Sequence, residues 1–176
     1  THHALHYRLS NNPATQRACG HCADFLSYAY MMQGNLAHAR EASANYEKMM
    51  ADPTNTIAVL TRFGRWDEIL AFPQPADDAK NDVHNVHAVL GFWHFARGMA
   101  FTGKHQLRKA QEEVVALQAE GALAPPAASF DGAPDVRHVI DKIIQTADAY
   151  NLMIASSILG SRISEEKRLT AESIEL

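Results

Sequence analysis

Apolar side chains recur at helical spacing along most of this chain, and turn residues interrupt the pattern at intervals. The clearest interruptions fall at four glycines, Gly34, Gly64, Gly103 and Gly160. Helical segments on both sides of each glycine predict antiparallel helix pairs joined by short turns. No alternating run of apolar and polar residues is long enough to indicate a strand. The pattern therefore predicts an all-α fold.

The same pattern divides the chain into four parts. Residues 1–17 are polar, residues 18–120 predict helical hairpins, residues 121–134 predict a linker rich in proline, glycine and alanine, and residues 135–176 predict a C-terminal helical hairpin. The segment from Val83 to Thr102 is apolar around most of its helical circumference, which is typical of a helix buried on several sides. We therefore expect this helix at the centre of the molecule.

The size and charge of the chain exclude some classes of function. The chain has 176 residues, 47% of them hydrophobic, and a formal net charge of -4. Lysine and arginine form no basic stripe, which argues against nucleic acid as a partner. No stretch approaches the roughly 20 apolar residues that span a bilayer. We therefore expect a soluble protein without a transmembrane segment, and the sequence does not indicate its compartment.

Three sequence blocks lie where the helical segments meet. They are Arg62–Glu68 (RFGRWDE), Trp93–Gly98 (WHFARG) and His21–Gly34, which begins with HCADF and ends with MQG. Together the blocks resemble a family of bacterial tetratricopeptide-repeat-like proteins, over about residues 18–120. The resemblance implies an α-solenoid of stacked antiparallel helical hairpins that binds a protein or a peptide. It implies no catalytic residue.

Two departures from this family concern histidines. Asp24 stands where the family usually has a second histidine. A histidine-rich hairpin that normally lies upstream is missing here or is replaced by the segment His2–His6. A histidine site shared with the family is therefore not carried over to this chain.

Histidines are nevertheless frequent, ten in 176 residues, and three of them share one stripe of the central helix. Offsets of three and seven residues place His84, His87 and His94 on this stripe, and two glycines continue it. A stripe of histidines and glycines between apolar arcs can line a groove. We therefore predict a partner-binding surface made of His84, His87, Gly91, His94, Arg97 and Gly98.

The same three histidines support a metal-binding alternative. Histidines one helical turn apart are a recurring ligand pair for transition metals such as zinc. They would need a carboxylate or a thiolate from elsewhere in the fold to complete a site. A second metal alternative uses Cys19, His21 and Cys22. The scaffold function that the resemblance implies needs no cofactor.

The four residues Cys19-Gly20-His21-Cys22 also occur at the active site of protein disulfide isomerases. That activity needs a strand before the motif and a βαβ unit around it, whereas this chain is predicted to be helical. On a helix, Cys19, Cys22 and Leu26 share one face, which favours two buried, reduced cysteines over a redox pair. A thiol–disulfide oxidoreductase is the third alternative.

The sequence as a whole favours a non-catalytic helical-repeat scaffold that binds a protein or peptide through a groove lined by the helix of residues 83–102. A metal-binding or metal-dependent protein is the main alternative. We also expect a homo-oligomer, or a part of a longer chain or larger assembly. The reason is that the helical pattern from Asp135 to Leu159 has more apolar surface than one short following helix covers.

Overall fold

The computed structural model describes residues 13–76, 86–124 and 136–174, with side chains for residues 20–76, 86–124 and 147–171. Within these ranges seven helices pack together and no strand is present, which confirms the all-α prediction. In chain order they are α1 (Pro13–Met32), α2 (Leu36–Met50), α3 (Thr54–Arg62), α4 (Trp66–Ala71), α5 (Val86–Gly103), α6 (Leu107–Leu123) and α7 (Val136–Ile174). None of these described helices is both long and apolar enough to cross a membrane.

Glycines separate successive helices at three of the predicted turns. Gly34, between α1 and α2, has a φ of 71°, and Gly64, between α3 and α4, has a φ of 63°. Glycine adopts this left-handed conformation without a steric penalty, so the helix ends there and the chain turns. The third turn follows Gly103 at the end of α5, and its left-handed residue is His105, with a φ of 57°.

Helix α5 lies at the centre of the described fold, in contact with α3, α4, α6 and α7, as its apolar sequence predicted. One side of α5 joins α3 and α4 in a buried cluster made of Ile57, Leu60, Ile69, Trp93, Ala96 and Ala100. The end of α5 joins α6 and α7 in a second cluster, which includes Phe101, Ala110, Val114, Leu117, Leu152, Leu159 and Ile163. Each large apolar side chain removed from water contributes about 1.5–3 kcal/mol. The two clusters therefore attach α3 and α4 on one side, and α6 and α7 on the other, to helix α5.

The turn predicted at Gly160 is wrong, and so is the C-terminal helical hairpin predicted for residues 135–176. Helix α7 continues through this glycine without a break. Leu152, Leu159 and Ile163 are 3%, 0% and 2% exposed, and their spacing keeps one helical face buried across Gly160. A glycine inside a helix costs about 1 kcal/mol relative to alanine. Burial of the three side chains outweighs this cost.

The observed helix ends also shift two predicted boundaries. Helix α1 begins at Pro13, inside the predicted polar segment of residues 1–17. Proline has no N–H and is tolerated in the first turn of a helix, so here it begins a helix. Helix α6 continues to Leu123, inside the predicted linker of residues 121–134. Residues 1–12 and 125–135 lie outside the described ranges.

Candidate functional site

The stripe on α5 that was predicted to bind a partner lies against the protein's own helices. Gly91 and Gly98 are buried, and they face α7. A Cβ atom at either position would lie less than 3.0 Å from the side chain of Leu152 or Leu159, respectively. The two glycines and the two leucines are each seven residues apart, so two turns of α5 match two turns of α7. The glycines therefore permit close helix packing.

The described histidines of the stripe bind carboxylates of α6. Nδ1 of His94 lies 2.7 Å from Oε2 of Glu113, and Nδ1 of His87 lies 2.8 Å from Oε2 of Glu120. Arg97 donates a hydrogen bond from Nε to Oε1 of Glu113 at 2.8 Å. These pairs join α5 to α6 in antiparallel register. The polar residues of the stripe therefore hold two helices together.

Glu113 is the buried centre of these contacts and is only 8% exposed. Burial alone would raise the pKa of Glu113, but hydrogen bonds from His94 and Arg97 outweigh burial and lower this pKa below its ordinary value. The guanidinium of Arg97 also lies 4.6 Å from the centre of the Trp93 ring. Glu113 is therefore an ionised carboxylate with two polar partners.

The described residues contain no group of three or more His, Cys, Asp or Glu that could hold a metal ion. His87 and His94 bind different glutamates, which lie about two helical turns apart on α6. His84 and the side chain of Cys19 lie outside the described residues. The metal alternative therefore stays a prediction.

Cys22 is exposed, so the burial predicted for it is wrong. Leu26, which was predicted to share its buried face, is 48% exposed. Helix α1 instead buries Gly20 and Ala23. A Cβ atom at Gly20 would overlap the side chain of Met50 on α2. Small residues therefore set the distance between α1 and α2 at Gly20, while Phe25 and Leu26 are 62% and 48% exposed.

A groove of about 460 Å³ lies between α2, α3 and α4, and we call it the α2–α4 groove. Its apolar lining consists of Ala44, Ala71, Phe72 and Pro73, which are accessible to solvent, and of Val59 and Leu60, which are 0% and 5% exposed. Its charged lining consists of Arg40, Glu47 and Glu68. Ligand-binding pockets commonly have volumes of about 300–1,000 Å³ and combine apolar walls with a few polar groups. This groove is therefore the candidate functional site.

The sequence of α2 determines which of its side chains reach the groove. Ala39 and Tyr46 are 0% and 6% exposed and form the buried face of the helix. Arg40, Ala44 and Glu47 follow one another at offsets of four and three residues, so they share a different face. All three of these side chains line the groove. One helix thus supplies a cation, a small apolar residue and an anion in a row.

Near Arg40, a carboxylate of the groove lining pairs with two guanidinium groups, of which only that of Arg40 belongs to the lining. Oε1 of Glu68 accepts hydrogen bonds from Nη2 of Arg40 and from Nε of Arg65, both at 2.6 Å. These bonds, first from Arg40 and then from Arg65, lower the pKa of Glu68 from 4.5 to about 2. Two guanidinium groups therefore share one carboxylate, which leaves one positive charge unbalanced within this trio.

Carboxylates gather at the other end, where α2 meets α3. Oε2 of Glu47 accepts a hydrogen bond from Oγ1 of Thr56 at 2.6 Å. The buried carboxylate of Asp52 accepts a hydrogen bond from the hydroxyl of Tyr46 at 3.3 Å. Burial, and then the negative charges of Asp52 and Asp24, raise the pKa of Tyr46 above its ordinary value. The two ends of the groove therefore differ in charge.

Comparison of this chain with protein-family models, with curated proteins and with solved structures gives no match.

The lining of the groove indicates what it can do. Apolar walls remove apolar side chains of a ligand from water, and two ends of unlike charge give a charged ligand one preferred orientation. This combination is suited to recognition of another molecule.

Arg40 and Glu47 were not singled out from the sequence, whereas Glu68 belongs to the block Arg62–Glu68. The spacing of Arg40, Ala44 and Glu47 on one helical face is a signal that the sequence does contain. The contact between Arg40 and Glu68 is different, because it joins residues 28 positions apart on separate helices. Helical periodicity alone does not predict such a contact.

Proposed function

We propose that this protein is a non-catalytic helical scaffold that binds a protein or peptide partner in the α2–α4 groove. The observation that carries the proposal is a groove of about 460 Å³ with apolar walls, flanked by Arg40 at one end and Glu47 at the other. Burial of apolar side chains would drive binding, and the charged ends would set its direction.

The proposed surface differs from the one that the sequence pattern placed on α5, because α6 and α7 already contact that stripe. The proposed architecture is an α-solenoid of tetratricopeptide-like hairpins. Support comes from the succession of helix pairs α1 with α2, α3 with α4, and α5 with α6. In a solenoid of this kind each pair buries its apolar face against the next pair. The expected homo-oligomer, longer chain or larger assembly stays a prediction, which light scattering on the purified chain tests.

A displayed library of random peptides, selected on the purified full chain, tests the proposed function. Peptides that bind the groove should bind the variant Ala44→Glu about tenfold or more weakly, because the new carboxylate would be placed against apolar ligand groups. Ala44 is exposed, so this substitution should not disturb the core.

Ala119→Glu makes the same chemical change at an exposed position on α6 and serves as the matched control. The selected peptides should bind this control as tightly as the unaltered chain. If no peptide is enriched, or if the enriched peptides bind both variants equally well, the groove is not the binding site and the proposal is overturned.

A further inference from the structure

Helix α1 presents an apolar face that none of the other described helices covers. Within the described residues, α1 contacts only α2 and α3. Six of its exposed side chains are apolar or aromatic, and we call them the outer face of α1: Cys22, Phe25, Leu26, Tyr28, Ala29 and Met32. Contiguous exposed apolar patches commonly mark interaction sites in folded proteins.

The outer face carries no Asp, Glu, Lys or Arg. Asp24 is the only such residue among the described side chains of α1, residues 20–32. Its carboxylate accepts a hydrogen bond from Nδ2 of Asn55 on α3 at 3.1 Å, so it lies on the side of α1 that packs against the fold. A molecule on the outer face would therefore be held by burial of apolar surface rather than by ion pairs.

The spacing of the outer face is that of a seam between two packed helices. Cys22 and Ala29 are seven residues apart, and so are Phe25 and Met32. The four residues follow one another at intervals of three and four, as the core positions of a helix–helix seam do. The outer face therefore fits another helix.

The order of large and small side chains indicates which helix fits. Ser27 is buried on the opposite side of α1 and lies midway along the seam. An antiparallel second copy, related by a twofold axis level with Ser27, would place its Ala29 opposite Phe25. The same axis would place its Met32 opposite Cys22. Each layer then joins a large side chain to a small one, which fills space without voids. A parallel copy would instead set Phe25 against Phe25.

The exposed area is sufficient for a weak, reversible dimer. Phe25, Leu26, Tyr28 and Met32 are 62%, 48%, 57% and 61% exposed. At about 200 Å² for each large side chain, these fractions leave about 450 Å² on one copy and about 900 Å² in a symmetric pair. The two small side chains of the seam raise the total to about 1,000 Å², the lower limit of specific interfaces.

Helix α7 carries another group of exposed apolar side chains. The group consists of Tyr150, Met153, Ile154, Ile158 and Leu169. Two exposed polar side chains, Asn151 and Ser157, lie among them. Burial of polar groups without hydrogen-bond partners opposes binding. The outer face of α1 is therefore the better surface for a second copy.

We propose that the outer face of α1 binds the same face of a second copy in an antiparallel helix pair, which makes the protein a symmetric dimer. A twofold axis pairs identical surfaces, so each copy contributes the same six side chains. The inference goes beyond the proposed function and is independent of it, because none of the six lines the α2–α4 groove.

Sedimentation velocity of the full chain at increasing concentration tests the inference. We expect a reversible dimer with a dissociation constant of about 1–100 μM, as for other small interfaces. Phe25→Glu should weaken dimerisation about tenfold or more, because each copy would bury a carboxylate against apolar side chains. Val115→Glu is the matched control, since Val115 on α6 is also 62% exposed, and it should leave the dissociation constant unchanged. Ile154→Glu, on the exposed face of α7, should also leave it unchanged.

Met32→Cys tests the antiparallel register. The new thiol would lie opposite Cys22 of the second copy, so mild oxidation should join residue 22 of one copy to residue 32 of the other. Mass spectrometry of the digested product identifies the linked residues. Ala119→Cys adds a thiol at an exposed position of α6 and should form no such link with Cys22. Circular dichroism melting confirms that each variant is folded.

Three results would overturn the inference. A chain that stays monomeric up to about 200 μM, above the expected range, would mean that the outer face does not bind a second copy. Dimerisation that Ile154→Glu abolishes and Phe25→Glu leaves intact would place the interface on α7. Linkage of Cys22 to Cys22, with no linkage of residues 22 and 32 in Met32→Cys, would mean that the helices are parallel. Each of these results leaves the proposed function standing, because peptide binding in the groove is measured separately.

Discussion

Glu113→Gln should destabilise the protein strongly, although glutamine has nearly the same shape as glutamate. The substitution removes the charge that His94 and Arg97 share across the contact between α5 and α6. Removing one partner of a buried ion pair costs about 3–5 kcal/mol. The side chains of Arg97 and Glu113 are 22% and 10% exposed. Hydration of the remaining charge of Arg97 therefore compensates part of this cost. We therefore expect a decrease of about 2–3 kcal/mol in the free energy of unfolding.

Thermal and urea unfolding of the purified chain, followed by circular dichroism, measures this decrease. For a chain of this size the melting temperature should fall by about 5–10 °C. Glu112→Gln is the matched control, because the side chains of Arg108 and Glu112 are 82% and 60% exposed and their pair should contribute less than about 0.5 kcal/mol. If Glu113→Gln costs no more than this control, the contacts of Glu113 do not hold α5 to α6.

The pH dependence of the free energy of unfolding, compared between the unaltered chain and Glu113→Gln, gives an independent check. The pKa of Glu113 is lower in the folded state than the ordinary value of 4.5. A carboxylate of this kind contributes fully above the ordinary value, and its contribution is lost as the pH falls through the lower folded value. The stability difference between the unaltered chain and Glu113→Gln should therefore decrease as the pH falls below about 4.5. A difference that grows as the pH falls below about 4.5 would contradict this assignment.

Further predictions concern two glycines and one cysteine. Gly98→Ala should destabilise the fold by about 1–3 kcal/mol, because the new methyl group would overlap the side chain of Leu159, and denaturant unfolding measures the loss. Gly160→Ala should stabilise it by about 0.5–1 kcal/mol in the same assay, because no atom lies within 4 Å of the added carbon and alanine favours the helix. A stability loss at Gly160 equal to that at Gly98 would contradict the packing of α7. Cys22 should react with a thiol reagent in the native protein about as fast as in the unfolded chain, because it is exposed, and slow labelling would mean that it is covered.

The sequence predicts those features that depend on one residue or on one helix. Gly34 and Gly64 mark turns because both adopt a backbone that other residues avoid. Gly160 is also a glycine, but the apolar face of α7 continues across it, and this continuity decides the outcome. The prediction that Cys22 and Leu26 share the buried face of α1 is wrong, because both side chains are exposed. Close packing against Met50 selects Gly20 instead.

Contacts between helices are only partly visible in the sequence. His87 and His94 are seven residues apart on α5, and Glu113 and Glu120 are seven residues apart on α6, so antiparallel packing of these helices can pair both. The histidines alone suggested a groove or a metal site. Which of these contacts forms depends on the relative position of the two helices, and no local pattern encodes that position.

The proposal that the α2–α4 groove binds a partner chain is tested most directly by methyl NMR of the full chain during titration with a peptide selected on it. Ala44, Val59 and Leu60 line the groove, so their methyl signals should shift in proportion to the bound fraction. The methyl signals of Ile154 and Ile158, which are exposed on α7, should stay in place. Shifts confined to Ile154 and Ile158, with Ala44, Val59 and Leu60 unchanged, would contradict binding in the groove.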